Sequence, residues 1–133
     1  MSKGTDRMTP ITQRRLEAAA ILAFCIFVYI SQGYSAVTFA YCFFLPDLSI
    51  LAYFKSPRIG AIAYNTAHCL LLPLALGGYA LFGGGSLALQ CALIWAAHIG
   101  FDRALGWGLK YPDSFCSTDM GRKTLPLDVP ILR

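Results

Sequence analysis

Residues 36–82 read AVTFAYCFFLPDLSILAYF, then KSPR, then IGAIAYNTAHCLLLPLALGGYALF. Two apolar runs, Ala36–Phe54 and Ile59–Phe82, flank the basic turn Lys55-Ser56-Pro57-Arg58. Crossing roughly 30 Å of hydrocarbon takes about 20 apolar residues as a helix. Either run is long enough, and so short a turn makes the two antiparallel. Outward from this hairpin lie two further runs, residues 16–34 and 86–108. Hydrophobic residues make up 56% of the chain and charged residues only 14%, too few to cover a soluble domain of this size. The expected fold is all-α: a four-helix transmembrane bundle forming a single integral membrane domain over residues 1–133, with a polar tail over 111–133.

The eleven Lys and Arg residues set the orientation. Lys3, Arg7, Arg14 and Arg15 precede the first run, Lys55 and Arg58 lie between the second and third, and Arg103, Lys110, Arg122, Lys123 and Arg133 lie at or beyond the end of the fourth. The loops Ser31–Ser35 and Gly83–Gly85 carry no charge. The positive-inside rule then puts both termini in the cytoplasm of a multi-pass protein of the cell inner or plasma membrane. Topology accounts for the formal charge of +4, so no nucleic-acid partner is expected, while membrane lipid is. No small-x-small cleavage site follows Arg14-Arg15, so the first run is expected to stay as a signal anchor. The cysteines (25, 42, 69, 91 and 116) form no C-x-x-C pair and read as small buried hydrophobes.

Ionisable side chains inside spans are costly and mark functional sites by default. Asp47, His68, His98 and Asp102 are such residues, and Asn65 accompanies them. Asp47 is eight residues before Lys55, His68 ten after Arg58, and His98 five before Arg103. At 1.5 Å per residue these offsets bring all three runs to one level, roughly 8–18 Å in from the basic side. Asn65 and His68 share one helix face, as do His98 and Asp102. Imidazole and carboxylate suit a divalent metal such as Zn, Fe or Mn, and an Asp–His pair also moves protons. Tyr64, Trp95 and Arg103 are the expected neighbours, Arg103 as a candidate holder of a phosphate or carboxylate head group. Ala88, Ala92, Ala96, Gly100, Ala104 and Gly108 recur at every fourth position. This small-residue ridge allows close helix approach within the bundle or, through Ala92, Ala96, Gly100 and Ala104, in a homo-oligomer. Gly100, midway between His98 and Asp102, points about 160° away from that pair.

Three strings carry a family resemblance: Pro46-Asp47-Leu48-Ser49, Tyr64-Asn65-Thr66-Ala67-His68, and Trp95 to Tyr111 (WAAHIGFDRALGWGLKY). From the first run to Phe115 the chain resembles the small integral membrane family called domain of unknown function 4260. The family pattern reads PDLS, YN-x-x-H and W-x-x-H-I-G-x-D-R-x-x-G-[YW]-G-L-K, then F-x-x-T-H-L-G. Here Asp119 stands in place of that last His. The resemblance implies that the polar cluster is a shared site and supplies no activity.

Three functional classes remain open. The leading expectation is a membrane-embedded enzyme acting on a lipophilic small molecule by acid–base or metal-assisted chemistry: a hydrolase, isomerase or cyclase. His98 and Asp102 form its main acid–base or ligand pair, His68 and Asp47 the second. Asn65, Tyr64, Arg103 and Trp95 contact the substrate. The alternatives are a small proton-coupled transporter or channel, and a structural membrane subunit whose polar residues only join helices.

Overall fold

In a computed structural model of the chain, residues 8–122 are described, and they are almost wholly helical as far as Ala104. Lys3, Arg7, Lys123, Arg133 and the stretch Leu125–Ile131 lie outside the described residues. Helix α1 spans Pro10–Ser31, starting earlier than the apolar run because Thr9 caps it. The Thr12 N–H donates to the Thr9 hydroxyl at 3.2 Å, and Pro10, which has no N–H to lose, occupies the first turn.

The second run, in which Pro46 is expected to kink or loosen the helix, breaks there, and the third departs from a continuous helix, each because of a proline. Helix α2 covers only Ala36–Cys42, and a 3-10 helix follows over Leu45–Phe54. Pro46 cannot donate to the Cys42 carbonyl four residues back, and its ring crowds that carbonyl. The α-helix therefore ends at Cys42. The third run divides into α3 (Pro57–Ala67) and α4 (Leu71–Tyr79). Pro73 likewise cannot bond the Cys69 carbonyl, which accepts instead from the Leu72 N–H at 3.3 Å in a tighter turn. His68 sits at the break with φ −106° and ψ 14°. Residues Ala80–Gly84 form a turn in which Gly83 takes φ +110°, open to glycine at little cost. Helix α5 returns over Gly85–Ala104, four residues shorter than the expected run to 108.

Helices α1 and α5 pack antiparallel around Cys25, Tyr29, Leu93, Ile94 and Ala97. Their approach is closest at Gly100, where an added Cβ would lie 2.8 Å from the Ala18 carbonyl oxygen and 3.0 Å from the Leu22 nitrogen. Gly77 of α4 faces Ala92 in the same way at 3.6 Å. The small-residue ridge is thus covered within the chain at Ala92 and Gly100. Arg15 donates to the Ala104 carbonyl at 2.8 Å, bringing the start of α1 beside the end of α5.

The tail was expected to be polar, but up to Arg122 it packs onto the helices. Phe115, Cys116 and Met120 are buried. A small hairpin of β1 (Ser117–Thr118) and β2 (Gly121–Arg122) follows. The molecule's surface is inverted relative to a soluble protein. Phe24, Phe27, Tyr41, Phe54, Leu71 and Phe82 are more than half exposed, while His68, His98 and Lys110 are buried. The stretches Ala36–Phe54 and Pro57–Ala104 are long and apolar enough to cross a membrane.

Candidate metal centre

The two proline breaks and α5 deliver one polar cluster. In a 3-10 helix, residues three apart line up. Asp47, Ile50 and Tyr53 therefore share the inner face, and Leu45, Leu48, Leu51 and Phe54 form an exposed apolar strip. Asp47 enters from this helix, His68 from the break after α3, and His98 and Asp102 from successive turns of α5. One ligand atom from each of the four lies within 4.8 Å of all the others. Nε2 of His68 is 3.1 Å from Nε2 of His98, 3.5 Å from Asp47 Oδ1 and 3.3 Å from Asp102 Oδ2. Nε2 of His98 is 3.4 Å from Asp47 Oδ1 and 3.7 Å from Asp102 Oδ2.

Those five separations fit five of the six edges of a tetrahedron, and the sixth, from Asp47 to Asp102, lies within 4.8 Å. A divalent ion with bonds of about 2.0–2.1 Å at the tetrahedral angle requires edges of roughly 3.3–3.4 Å. The supporting contacts favour the same arrangement. His68 Nδ1 lies 2.9 Å from the Tyr64 carbonyl, which only accepts, so that nitrogen carries the proton. If His68 is protonated at Nε2 as well, that nitrogen donates to a carboxylate; if it is neutral, a bare Nε2 lone pair faces two carboxylates and a second imidazole. Such a set of acceptors repels unless a cation or shared protons lie between them. The Tyr64 hydroxyl donates to Asp102 Oδ2 at 3.1 Å, and its ring stacks on His68 with centroids 3.7 Å apart. His98 is walled by Phe43 and Phe44, and its Nδ1 has no hydrogen-bond partner among the described residues. The His pair is buried, whereas the Asp47 side chain is 35% exposed and opens the cluster on one side.

The expected neighbours divide. Tyr64 belongs to the cluster. Asn65 does not: its amide donates to the Lys110 carbonyl at 2.8 Å, and the Lys110 N–H donates to its oxygen at 2.7 Å. Asn65 is a strut that holds the tail. Arg103 donates to the His68 carbonyl at 3.2 Å, securing the helix break, and it also lines a cavity with Arg14 and Glu17. The Trp95 indole donates to the Ala67 carbonyl at 2.6 Å, and the residue lines an apolar pocket of about 300 Å³ with Cys42, Leu45, Pro46, Cys91 and Ile94. Asp119 pairs with Arg14 at 2.8 Å and crowds Gly108, so it is not in the four-residue cluster. Lys110 was missed, having been read as a flanking cytoplasmic charge. It is buried beside the cluster, and its sequence signals were its place among Trp107, Tyr111 and Phe115 and at the end of the family pattern G-L-K.

No curated protein and no solved structure matches the chain. A family model does match, over residues 12–123, and that span contains every residue of the cluster. By that match the chain belongs to the family described as domain of unknown function, DUF4260.

Proposed function

We propose that the protein is a membrane-embedded metalloenzyme acting on a lipophilic small molecule, with Asp47, His68, His98 and Asp102 holding one divalent Zn, Fe or Mn ion. The observation that carries this reading is the convergence of four ligand atoms, five of whose six separations lie at 3.1–3.7 Å. A proton relay, by contrast, runs as a chain with an entry and an exit. Four protein ligands fill a tetrahedron, so catalysis needs a fifth position, on the open Asp47 side; a divalent ion with that position open would polarise a bound carbonyl or phosphoryl oxygen, or lower the pKa of a bound water. Asp47, the most exposed ligand, faces a cleft of about 170 Å³ that it shares with Ile50, Tyr64, Asp102, Trp107, Lys110 and Phe115. The aromatic wall of that cleft, Trp107 and Phe115, suits the apolar body of a lipophilic substrate. Hydrolysis, isomerisation and cyclisation all use such a centre.

The spans in this reading are α1, the Ala36–Phe54 stretch, α3 with α4, and α5, with both termini cytoplasmic. The inverted surface and the antiparallel packing of α1 on α5 support it. Elemental analysis of protein purified in detergent after growth with Zn, Fe and Mn tests the centre. About one ion per chain is expected. Asp47→Asn, at the most open ligand, and His98→Ala should each bind metal at least tenfold more weakly while eluting as folded protein. Metal-free wild-type protein, or variants with unchanged affinity, would sink the proposal.

A further inference from the structure

Lys110 is 4% exposed, yet it has no carboxylate partner among the described residues. Its ammonium donates to the Phe115 carbonyl at 2.9 Å and lies over three rings: Phe115 at 3.7 Å, Tyr64 at 4.3 Å and Trp107 at 4.5 Å. Aromatic faces stabilise a cation without neutralising it. The backbone is clamped by Asn65 on both its N–H and its carbonyl, while the Phe115 carbonyl and the three rings hold the amine. Among the described residues the Phe115 carbonyl is the one acceptor of the ammonium, and Lys110 lines a cleft with Asp47 and Asp102.

Charge balance decides what that ligand is. The two carboxylates of the cluster neutralise a divalent ion, which leaves the Lys110 charge uncompensated in a largely buried cleft. A buried charge calls for a partner. We infer that Lys110 is the anchor for an anionic group of the substrate, a carboxylate or a phosphate, held in the cleft between the ammonium and the metal. The cleft, at about 170 Å³, is smaller than the roughly 300–1,000 Å³ of pockets that enclose a drug-sized ligand. It therefore takes a head group, while the apolar remainder lies along Trp107, Phe115 and the lipid. The cationic rim and the apolar wall together select an amphiphile with an acidic head.

This inference rests on the metal reading, and the two are tested separately. Metal content is measured first; metal-free wild-type protein overturns the metal reading and the inference with it. Metal-loaded protein is then titrated by calorimetry with decanoate, decyl phosphate, decanol and decyltrimethylammonium, all below their micellar concentrations. One or both anions should bind at least tenfold more tightly than decanol, and the cation should not compete. The better anion identifies the head group. Lys110→Met, which keeps the bulk of the side chain, should retain metal and lose that preference. Equal binding of decanol and the anions by wild-type protein would overturn the anchor, as would a folded Lys110→Met protein that keeps the anion preference. If Lys110→Met does not fold, the comparison among amphiphiles in wild-type protein decides alone.

Discussion

Gly100 links the packing of α1 on α5 to the geometry of the proposed metal centre, so a single methyl group there should disturb both. An added Cβ would lie 2.8 Å from the Ala18 oxygen, 3.0 Å from the Leu22 nitrogen and 3.4 Å from the Leu22 Cα. All three are backbone atoms and have no rotamer to change. Restoring ordinary contact at about 3.4 Å requires α1 and α5 to separate locally by roughly 0.6 Å. Overpacking of this kind typically costs about 1–3 kcal/mol. The contact is between the two helices themselves, so part of the movement falls on α5. His98 and Asp102 are two residues either side of Gly100, and metal–ligand distances tolerate only about ±0.2 Å. Gly100→Ala should therefore lower the thermal midpoint and weaken metal binding at least tenfold; Gly100→Leu should do both more severely. The control is Gly77→Ala, whose Cβ would meet Ala92 at an ordinary 3.6 Å. Removing that glycine's conformational freedom should leave stability unchanged or raise it by up to about 1 kcal/mol. Thermal unfolding in detergent with and without metal, and metal competition against a chelator, measure both quantities. If Gly100→Ala matches wild type in both, or Gly77→Ala proves equally harmful, the reasoning fails.

A reporter fused after Arg133 should be active on the cytoplasmic side, because the basic residues flank that face; a signal from the opposite side would refute the four-span topology. Arg14→Ala breaks a partly exposed pair with Asp119 and should cost no more than about 1 kcal/mol in a denaturant titration, with metal content unchanged. Metal loss in that variant would return Asp119 to the site. Burial pushes the Lys110 amine down to about 8, with Asp102, Cys116 and Asp47 acting in the opposite direction. The folded protein therefore gives up this proton before the unfolded chain does, so the penalty of the buried charge is present at neutral pH and is relieved as pH rises above about 8. Decanoate affinity should fall over the same rise in wild-type protein and stay flat in Lys110→Met; a flat wild-type profile would remove the ammonium from the binding site.

Much of the site was legible because membrane burial makes ionisable side chains conspicuous. Asp47, His68, His98 and Asp102 stand out in apolar runs, and their distances from the basic turns place them at one depth. Helical register alone put Gly100 on the face opposite His98 and Asp102, and the structure has Gly100 against α1 with the pair turned to the cluster. The prolines were visible as well, and with Pro46 a kink or loosening of the second run, but not the form the break takes. Pro46 ends an α-helix at Cys42 and leaves a 3-10 helix, which alone aligns Asp47 with Ile50 and Tyr53. Pro73 acts four residues back, so the break falls at His68 and not at the proline itself.

By itself, the sequence determined the helical class, the apolar stretches fit to cross a membrane and the identity of the clustered residues. Each follows from local composition and helical period. Only the tertiary structure decided which polar groups meet. Asn65 shares a face with His68, yet its amide is spent on the Lys110 backbone. Asp119 pairs with Arg14, 105 residues away in the chain. Lys110 reads as a surface charge until the tail folds Phe115 over it. Partners that come together through a turn after the last helix leave no periodic trace, because their meeting depends on chain reversal and not on spacing along one element.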